Sequence, residues 1–295
     1  MRDMDTVRQL VQNALAEDIG PGDVTTKSIV IEHVKAEARV LAKESGVVAG
    51  TEVAVCVFGM LDPDMRSRIS IQDGCRVRRG EIIMDLCGSA GAILSGERVA
   101  LNFLQRLSGI ATHTARFVDA VAGTGVRILD TRKTTPTLRV LEKYAVTMGG
   151  GHNHRAGLYD MALIKDNHIR IAGGIEAAVK AVRRRFPRLP VEVETTSLDQ
   201  VDQALRAGAD RIMLDNMDRD EVRSALDLVR RQTGQGGKPR IEVSGNITLK
   251  NVRQMAMAGV DDISTGSITH SAVALDISLA VAPEPPGSAG LEVDR

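Results

Sequence analysis

From residue 126 onward, short apolar runs alternate with amphipathic stretches. The runs are VRILD, MALIKD, VEVET, DRIMLD, RIEVSG and DDISTG, and segments such as SLDQVDQALRAG and NVRQMAMAG lie between them. Strand-like runs separated by helical ones imply a parallel sheet built of βα units. The last four strand starts, near 191, 211, 241 and 261, are spaced as consecutive units would be. About six units predict an open, incomplete (β/α) barrel with parallel strands. The rival is a doubly wound sheet, but no G-x-G-x-x-G follows the first strand.

The first third reads differently. A helix is predicted around 5–16, then a turn-rich EDIGPGDVTT, a strand-like ARVLAKESGVVAG, a helix over TEVAVCVFGML and strand patterning in DGCRVRRGEIIMDLCGSAG. A long helix follows from Ser95 to about Val121, with a bend or break expected at Ser108–Gly109. The Pro/Gly-rich tail PEPPGSAGLEVDR, 283–295, is expected to be disordered.

Chemistry in a barrel gathers at the C-terminal ends of its strands. Those ends carry Asp130, Arg132 and Lys133, then Lys165, Glu194, Asp215 with Asn216, Ser244 with Asn246, and Thr265 with Ser267. Six consecutive strands ending in polar side chains point to an active site. In VEVET, alternation puts Glu192 and Glu194 on one face and Val191, Val193 and Thr195 on the other. A parallel sheet is covered on both faces, so Glu194 is either paired with a buried cation or catalytic. Asp215 adds a second carboxylate, and two acids there can hold a divalent metal, bind sugar hydroxyls or offset a developing cation. SGN (244–246) and STGS (264–267) join glycine to hydroxyls, a pattern that lets backbone N–H groups approach a phosphate.

Charge sharpens this picture. The chain has 38 Lys+Arg and 38 Asp+Glu, which argues against general affinity for nucleic acid or anionic membrane. Aromatic residues at 2% leave no base-stacking platform. Yet between Arg127 and Arg170 stand eight Lys/Arg against four acids, and His152, His154 and His168 fall in HNHRAGLYDMALIKDNH. Arg139 and Lys143 are expected on solvated helix faces, whereas Arg132, Lys133, Arg155 and Lys165 sit at strand ends or in Gly-rich loops. The three glycines of GGGHNHR bring backbone close to something. Charge-assisted hydrogen bonds are worth about 1.5–3 kcal/mol each, so four such cations can hold a small polyanion carrying at least one phosphate, beside carboxylates and a metal. Three cysteines without metal-like spacing, and no run resembling a leader or a membrane span, point to a reducing, cytoplasmic setting.

The blocks GERVALNFLQRLSGIAT, LDTRKTTP, KYAV-x-x-GGGHNHR-x-GL-x-D, LIKDNH, VEVE, MLDN, EVSGNI and GVDDIS-x-G-x-x-THS occur in this order. Together the chain resembles the quinolinate phosphoribosyltransferases, the carboxylating nicotinate-nucleotide pyrophosphorylases, from EDIGPGDVTT to ALDISL. The resemblance implies an N-terminal α/β sandwich domain (1–112, joined by 276–282) and an open α/β barrel (113–275). It implies transfer of ribose 5-phosphate from phosphoribosyl pyrophosphate to quinolinate, with loss of pyrophosphate and CO2 and formation of nicotinate mononucleotide in NAD biosynthesis. Mg2+ at Glu194 and Asp215, and a homodimer or larger homo-oligomer, are also implied. Quinolinate would meet Arg132, His154, Arg155 and Lys165, with Arg98 supplied by the neighbouring subunit. The donor would meet Lys133, Glu194, Asp215, Ser244, Gly245, Asn246, Thr265, Gly266, Ser267 and His270, and catalysis would fall to Glu194, Asp215, Lys133 and Lys165. Thr137, Thr147, Thr195, Thr265 and Ser267 depart from the family's usual residues. Two other readings are a different phosphosugar barrel enzyme, which leaves the cations without a dicarboxylate, and a non-enzymatic accessory homologue, which predicts decay of the ionisable residues.

Overall fold

A computed structural model describes residues 4–30, 33–233 and 238–283. The described residues up to Thr112 and from Val273 onward form one compact unit, and His113–Ala272 form another.

In the first unit, α1 (Met4–Ile19) buries Val7, Val11 and Leu15, a stripe at four-residue spacing, and runs beyond the predicted 5–16. α2 (Val24–Ile29) begins where the Asp23 carboxylate accepts the Thr26 N–H at 2.9 Å, so part of EDIGPGDVTT is helical rather than turn. Next come β1 (Lys35–Ala42), β2 (Gly46–Val47), α3 (Thr51–Leu61), β3 (Arg66–Ile69), β4 (Arg76–Val77), β5 (Ile82–Ser89) and α4 (Ala90–Ala120). β1 alternates exposed and buried positions along its length, as a strand with one covered face must. The expected break in the long helix is absent: α4 is a continuous helix of 31 residues. Its Gly109 answers to packing, because a Cβ there would stand 2.1 Å from the Val273 carbonyl oxygen. Ser108 is fully buried, and its hydroxyl accepts the Ala49 N–H at 3.0 Å.

The second unit continues with β6 (Arg127–Leu129), α5 (Arg139–Met148), β7 (Ala162–Ile164), α6 (Asp166–Ala172), α7 (Ile175–Arg185), β8 (Val191–Thr195), α8 (Leu198–Arg206), β9 (Arg211–Asp215), α9 (Arg219–Thr233), β10 (Arg240–Ser244), α10 (Val252–Ala256), β11 (Asp262–Ser264) and α11 (Ser267–His270). Its sheet has the order β6-β11-β10-β9-β8-β7 and every pairing is parallel. The two strands that are neighbours in sequence, β6 and β7, are therefore the two edges, and the barrel is open between them. Backbone of the segment after α5 covers the β6 edge: the His152 N–H donates to Ile128 O at 2.8 Å, and the Asp130 N–H donates to His152 O at 3.1 Å. The glycines of GGGHNHR serve this passage. Gly150 takes a left-handed φ of +81°, and a Cβ on Gly151 would lie 2.7 Å from Thr114 Cγ2 and 2.8 Å from Val146 Cγ1. What that backbone approaches is the barrel's own helical wall. β12 (Ile277–Pro283) follows and pairs antiparallel with β1, giving the first unit's sheet the order β12-β1-β5-β3. The expectation of a disordered tail concerns residues outside those described, except Pro283, which ends β12.

The interior of the barrel carries a layer of charge. Glu192 of β8, Glu242 of β10 and Asp262 of β11 are each 0% exposed. Asp262 is held by Arg127 at 2.8 Å, by Arg240 at 2.9 Å and by Arg211 at 2.9 Å, and Arg211 reaches Glu242 at 2.7 Å and Glu192 at 3.4 Å. Burial alone would raise the Asp262 pKa, but the hydrogen bonds from Arg240 and Arg127 and the nearby Arg211 charge outweigh it and hold it at about 2. Among the described residues no helix is long and apolar enough to cross a membrane.

Candidate active site

A cavity of about 490 Å³ opens at the C-terminal ends of the barrel strands. It gathers Arg132, Lys133, His154, Arg155, Lys165, Glu194, Asp215, Ser244, Gly245 and Asn246 from the predicted set. Short parallel strands explain the convergence. Glu194, Asp215 and Ser244 are at or one residue from the ends of β8, β9 and β10, and Lys165 follows the last residue of β7.

Donors on two arginines, Arg132 and Arg155, are left unused by the protein. The Arg132 Nε is buried and has no hydrogen-bond partner. Arg155 is 9% exposed; its Nη1 donates to Met161 O at 3.1 Å. Burial and the charge of neighbouring Arg132 both push the Arg155 pKa down, while Glu192, Asp160 and Glu194 push back. Two guanidiniums held this close, one with an idle buried donor, suit an anionic ligand. Lys165 bonds Glu194 Oε2 at 2.6 Å, so Glu194 is both paired and on the cavity wall.

Asp215 is half-buried, and burial followed by the Glu194 charge raises its pKa; the Asn216 amide, Lys165 and Lys133 act the other way. Beside it, Asn216 and Asn246 adopt left-handed φ values of +56° and +52°, and the Asn246 amide donates to Asn216 Oδ1 at 3.0 Å. Gly245 between them has φ +87°, and a Cβ there would lie 2.3 Å from Asn216 Oδ1. Ser244 Oγ accepts the Ser264 hydroxyl at 3.0 Å. This tight, hydroxyl-bearing turn is suited to bring backbone N–H groups up to a phosphate.

His154 forms part of the cavity wall with Glu242, and Glu192 lies behind. Its Nε2 is 2.9 Å from Glu192 Oε2 and 3.5 Å from Glu242 Oε2. Burial lowers the imidazole pKa, but the two glutamates more than offset it and hold it at about 9. Burial and the Glu242 charge raise the pKa of Glu192. A His with two glutamates is a donor set that metals use. Here, however, the imidazole with a pKa of about 9 is protonated at neutral pH, and Arg211 already reaches one oxygen of each glutamate. The trio holds a proton where a metal would need a lone pair.

The turn after β11 is placed differently. Thr265 is buried, with its hydroxyl 2.9 Å from Ser267 Oγ, and neither residue lines the cavity. Gly266 and His270 are also off the cavity surface. A Cβ on Gly266 would stand 2.9 Å from both Lys133 Cδ and His270 Cδ2, so the turn backs the Lys133 side chain. Arg98 is exposed on α4, in the first unit.

Two expectations are corrected. Lys143 is not on a solvated face: it is 5% exposed and pairs with Asp130, itself 0% exposed. Arg139 is half-buried and bonds Thr134 Oγ1 at 3.0 Å and Ala156 O at 3.2 Å. α5 buries Leu141, Ala145 and Val146 on one helical face, and charged Glu142 and Lys143 are part of the same covered surface, so charge is a poor guide to exposure here. Sequence reasoning also overlooked Thr131, Leu163, Met213 and Glu242 on the cavity wall, while of the STGS turn only Ser264 reaches it. For Glu242 a signal existed: in RIEVS it shares a strand face with Ser244.

Comparison with known proteins gives two family matches. Residues 23–108 match the N-terminal domain of quinolinate phosphoribosyl transferase, and residues 110–280 match its C-terminal domain. A probable nicotinate-nucleotide pyrophosphorylase [carboxylating] of Bacillus subtilis is 45% identical over 276 residues, covering 93% of this chain and 93% of that protein. Its counterpart in Synechocystis is 44% identical over 274 residues, covering 92% and 91%. Among solved structures, NadC from Streptococcus pyogenes superposes with a TM-score of 0.91 at 39% identity, covering 97% of this chain and 99% of that one. The nicotinate-nucleotide pyrophosphorylase of Francisella tularensis gives 0.89 at 41% identity, covering 94% and 96%.

Proposed function

The chain belongs to the quinolinate phosphoribosyl transferase family, and from that premise we propose that it transfers the 5-phosphoribosyl group of phosphoribosyl pyrophosphate to quinolinate, releasing pyrophosphate and CO2 and forming nicotinate mononucleotide. The observation that carries this reading is the convergence of Arg132, Lys133, Arg155 and Lys165 on one cavity opposite Glu194 and Asp215. Quinolinate brings two adjacent carboxylates, and Arg132 with its idle Nε, Arg155 and Lys165 are the groups to receive them. Lys133 and the turn Ser244–Gly245–Asn246 face the donor's phosphates. As the bond to pyrophosphate breaks, the ribosyl carbon gains oxocarbenium character, which the Glu194 carboxylate stabilises. Lys165 must leave Glu194 for that to happen, and an arriving quinolinate carboxylate is the anion that draws it away. Once quinolinate nitrogen is bonded to ribose it is cationic. When the adjacent carboxylate departs as CO2 the electron pair stays on the ring carbon, stabilised by the neighbouring positive nitrogen, and that carbon then takes a proton from water.

Mg2+ belongs to the same reading. Glu194 and Asp215 supply hard oxygen donors, and the rise in the Asp215 pKa, due to burial and then to Glu194, marks a carboxylate pair that a divalent cation would relieve. These two residues would hold the ion, which when bound offsets charge on the departing pyrophosphate. A homodimer in which Arg98 of one subunit completes the other's site is also proposed, as is residence in the reducing cytoplasm, which the free thiols of Cys56, Cys75 and Cys87 support.

Incubation with quinolinate, phosphoribosyl pyrophosphate and Mg2+ is expected to give nicotinate mononucleotide and CO2, with nicotinate as acceptor giving far less product. Equal or better turnover of nicotinate would sink the dicarboxylate assignment. Arg98→Ala and Arg132→Ala, each inactive alone, are expected to regain up to about a quarter of wild-type activity when mixed, through hybrid dimers with one intact site. Absence of recovery despite measured subunit exchange would refute the shared site.

A further inference from the structure

Lys143 is a buried ionisable group with no part in the reaction above. Its Nζ donates to Asp130 Oδ1 at 2.5 Å and to the His154 carbonyl at 2.9 Å. The same Asp130 oxygen accepts the His154 backbone N–H at 2.8 Å. One buried ion pair thus holds both the N–H and the C=O of His154. With its amide oriented to satisfy both neighbours, Asn153 donates to Lys143 O at 3.0 Å and to Asp130 Oδ2 at 2.6 Å, adding to the same junction.

A second cation on the same helix repeats the pattern. Arg139 lies four residues before Lys143, on the same face of α5. It donates to the Arg132 carbonyl at 3.4 Å and to the Ala156 carbonyl at 3.2 Å. Each cation therefore touches two separate segments: the one after β6, which carries Arg132, and the one covering the β6 edge, which carries Arg155. These guanidiniums repel one another, and their segments are not paired as regular strands beyond a single bridge at Leu129 and His152. Something else must fix their spacing.

We propose that Arg139 and Lys143, with Asp130, form a two-rung brace on α5 that sets the spacing of Arg132 and Arg155, and that this spacing makes the site select an acceptor with two adjacent carboxylates over one with a single carboxylate. The proposal rests on the function assigned above and adds to it three positioning residues that do not line the cavity. A buried ion pair is seldom the most stable filling for its volume. An apolar residue at 143 would pack, but it would leave the His154 carbonyl without its partner and release the rung.

The test compares Arg139→Met, and Asp130→Asn combined with Lys143→Met, with the wild type. The double change removes both charges together, so no unpaired ion is left buried. Quinolinate kcat/KM is expected to fall about 100-fold, the size of effect a displacement near 1 Å produces. KM for phosphoribosyl pyrophosphate should stay within about twofold. The ratio of nicotinate Kd to quinolinate Kd, measured by calorimetry, should shrink about tenfold, since quinolinate alone needs both guanidiniums in place. Arg139→Lys should recover part of the loss, because it restores one donor. Parallel losses toward both substrates, tracking a fall in Tm, would show ordinary structural support and overturn the brace. An unchanged Kd ratio in folded variants would do the same. Should the wild type bind no quinolinate, the reading of the site itself fails, a result distinct from either.

Discussion

Arg155→Ala is expected to lower kcat/KM for quinolinate by about three orders of magnitude. Arg155 lines the cavity, is 9% exposed and has one guanidinium nitrogen tied to Met161 O. The rest of its fork is available to a carboxylate. Two charge-assisted hydrogen bonds of about 2 kcal/mol each amount to about 4 kcal/mol, or close to 1,000-fold. The substitution also strips Met161 O of its donor. Arg155→Lys should restore only a part, because an ammonium cannot reproduce the planar fork. Steady-state kinetics with each substrate varied in turn will measure it. A loss below about tenfold would remove Arg155 from the acceptor site and return the dicarboxylate argument to Arg132 and Lys165.

Asp262→Ala is expected to be the most damaging single change to stability among those considered. It removes the carboxylate shared by Arg127, Arg211 and Arg240; Arg211 keeps Glu242 and Glu192, whereas Arg127 and Arg240 lose the carboxylate they share. Breaking a buried pair from one side costs about 3–5 kcal/mol when the surviving charge is desolvated. Here Arg127 and Arg240 are partly exposed, so about 3 kcal/mol is expected. For a domain of this size that corresponds to a fall in Tm of about 10 °C. The pH dependence gives a second reading. The folded-state pKa of Asp262, about 2, is below its ordinary value of 3.8. Its stabilisation is therefore complete above the ordinary value and is lost as the pH falls from 3.8 towards 2. Thermal melts of wild type and Asp262→Asn should differ most at neutral pH and converge across that acid window. Curves that remain parallel down to pH 2 would show that the carboxylate's charge is not what holds the three arginines.

Much of the second unit was legible from one dimension. Strand after strand ends in a polar residue where a barrel keeps its chemistry, and Arg132, Lys133, Arg155, Lys165, Glu194, Asp215 and Ser244 do meet at one cavity. The first unit was read with less success, and for local reasons. Gly109 looked like a helix breaker because glycine lowers helix propensity, yet α4 continues through it. The contact that requires the missing side chain, with Val273 O, comes from a residue more than 160 positions away. Asp23 followed by Thr26 was a helix start hidden in a stretch that read as turns.

Periodicity and the types of residue at strand ends were enough to determine the βα repeat, the parallel strands and the rim that carries the cations and acids. They act at short range: the alternation of a strand and the polarity of the residue after it are properties of neighbours in sequence. Only the tertiary structure decided which charges are spent inside the protein. Lys143 and Arg139 read as solvated because nothing in KYAV or its surroundings says that Asp130, Arg132, His154 and Ala156 will close over them. Glu192, Glu242 and Asp262 are paired by arginines from other strands, at separations of 19 to 135 residues. A charge is buried or free according to partners that the fold brings within 3 Å, and local pattern carries no information about those partners.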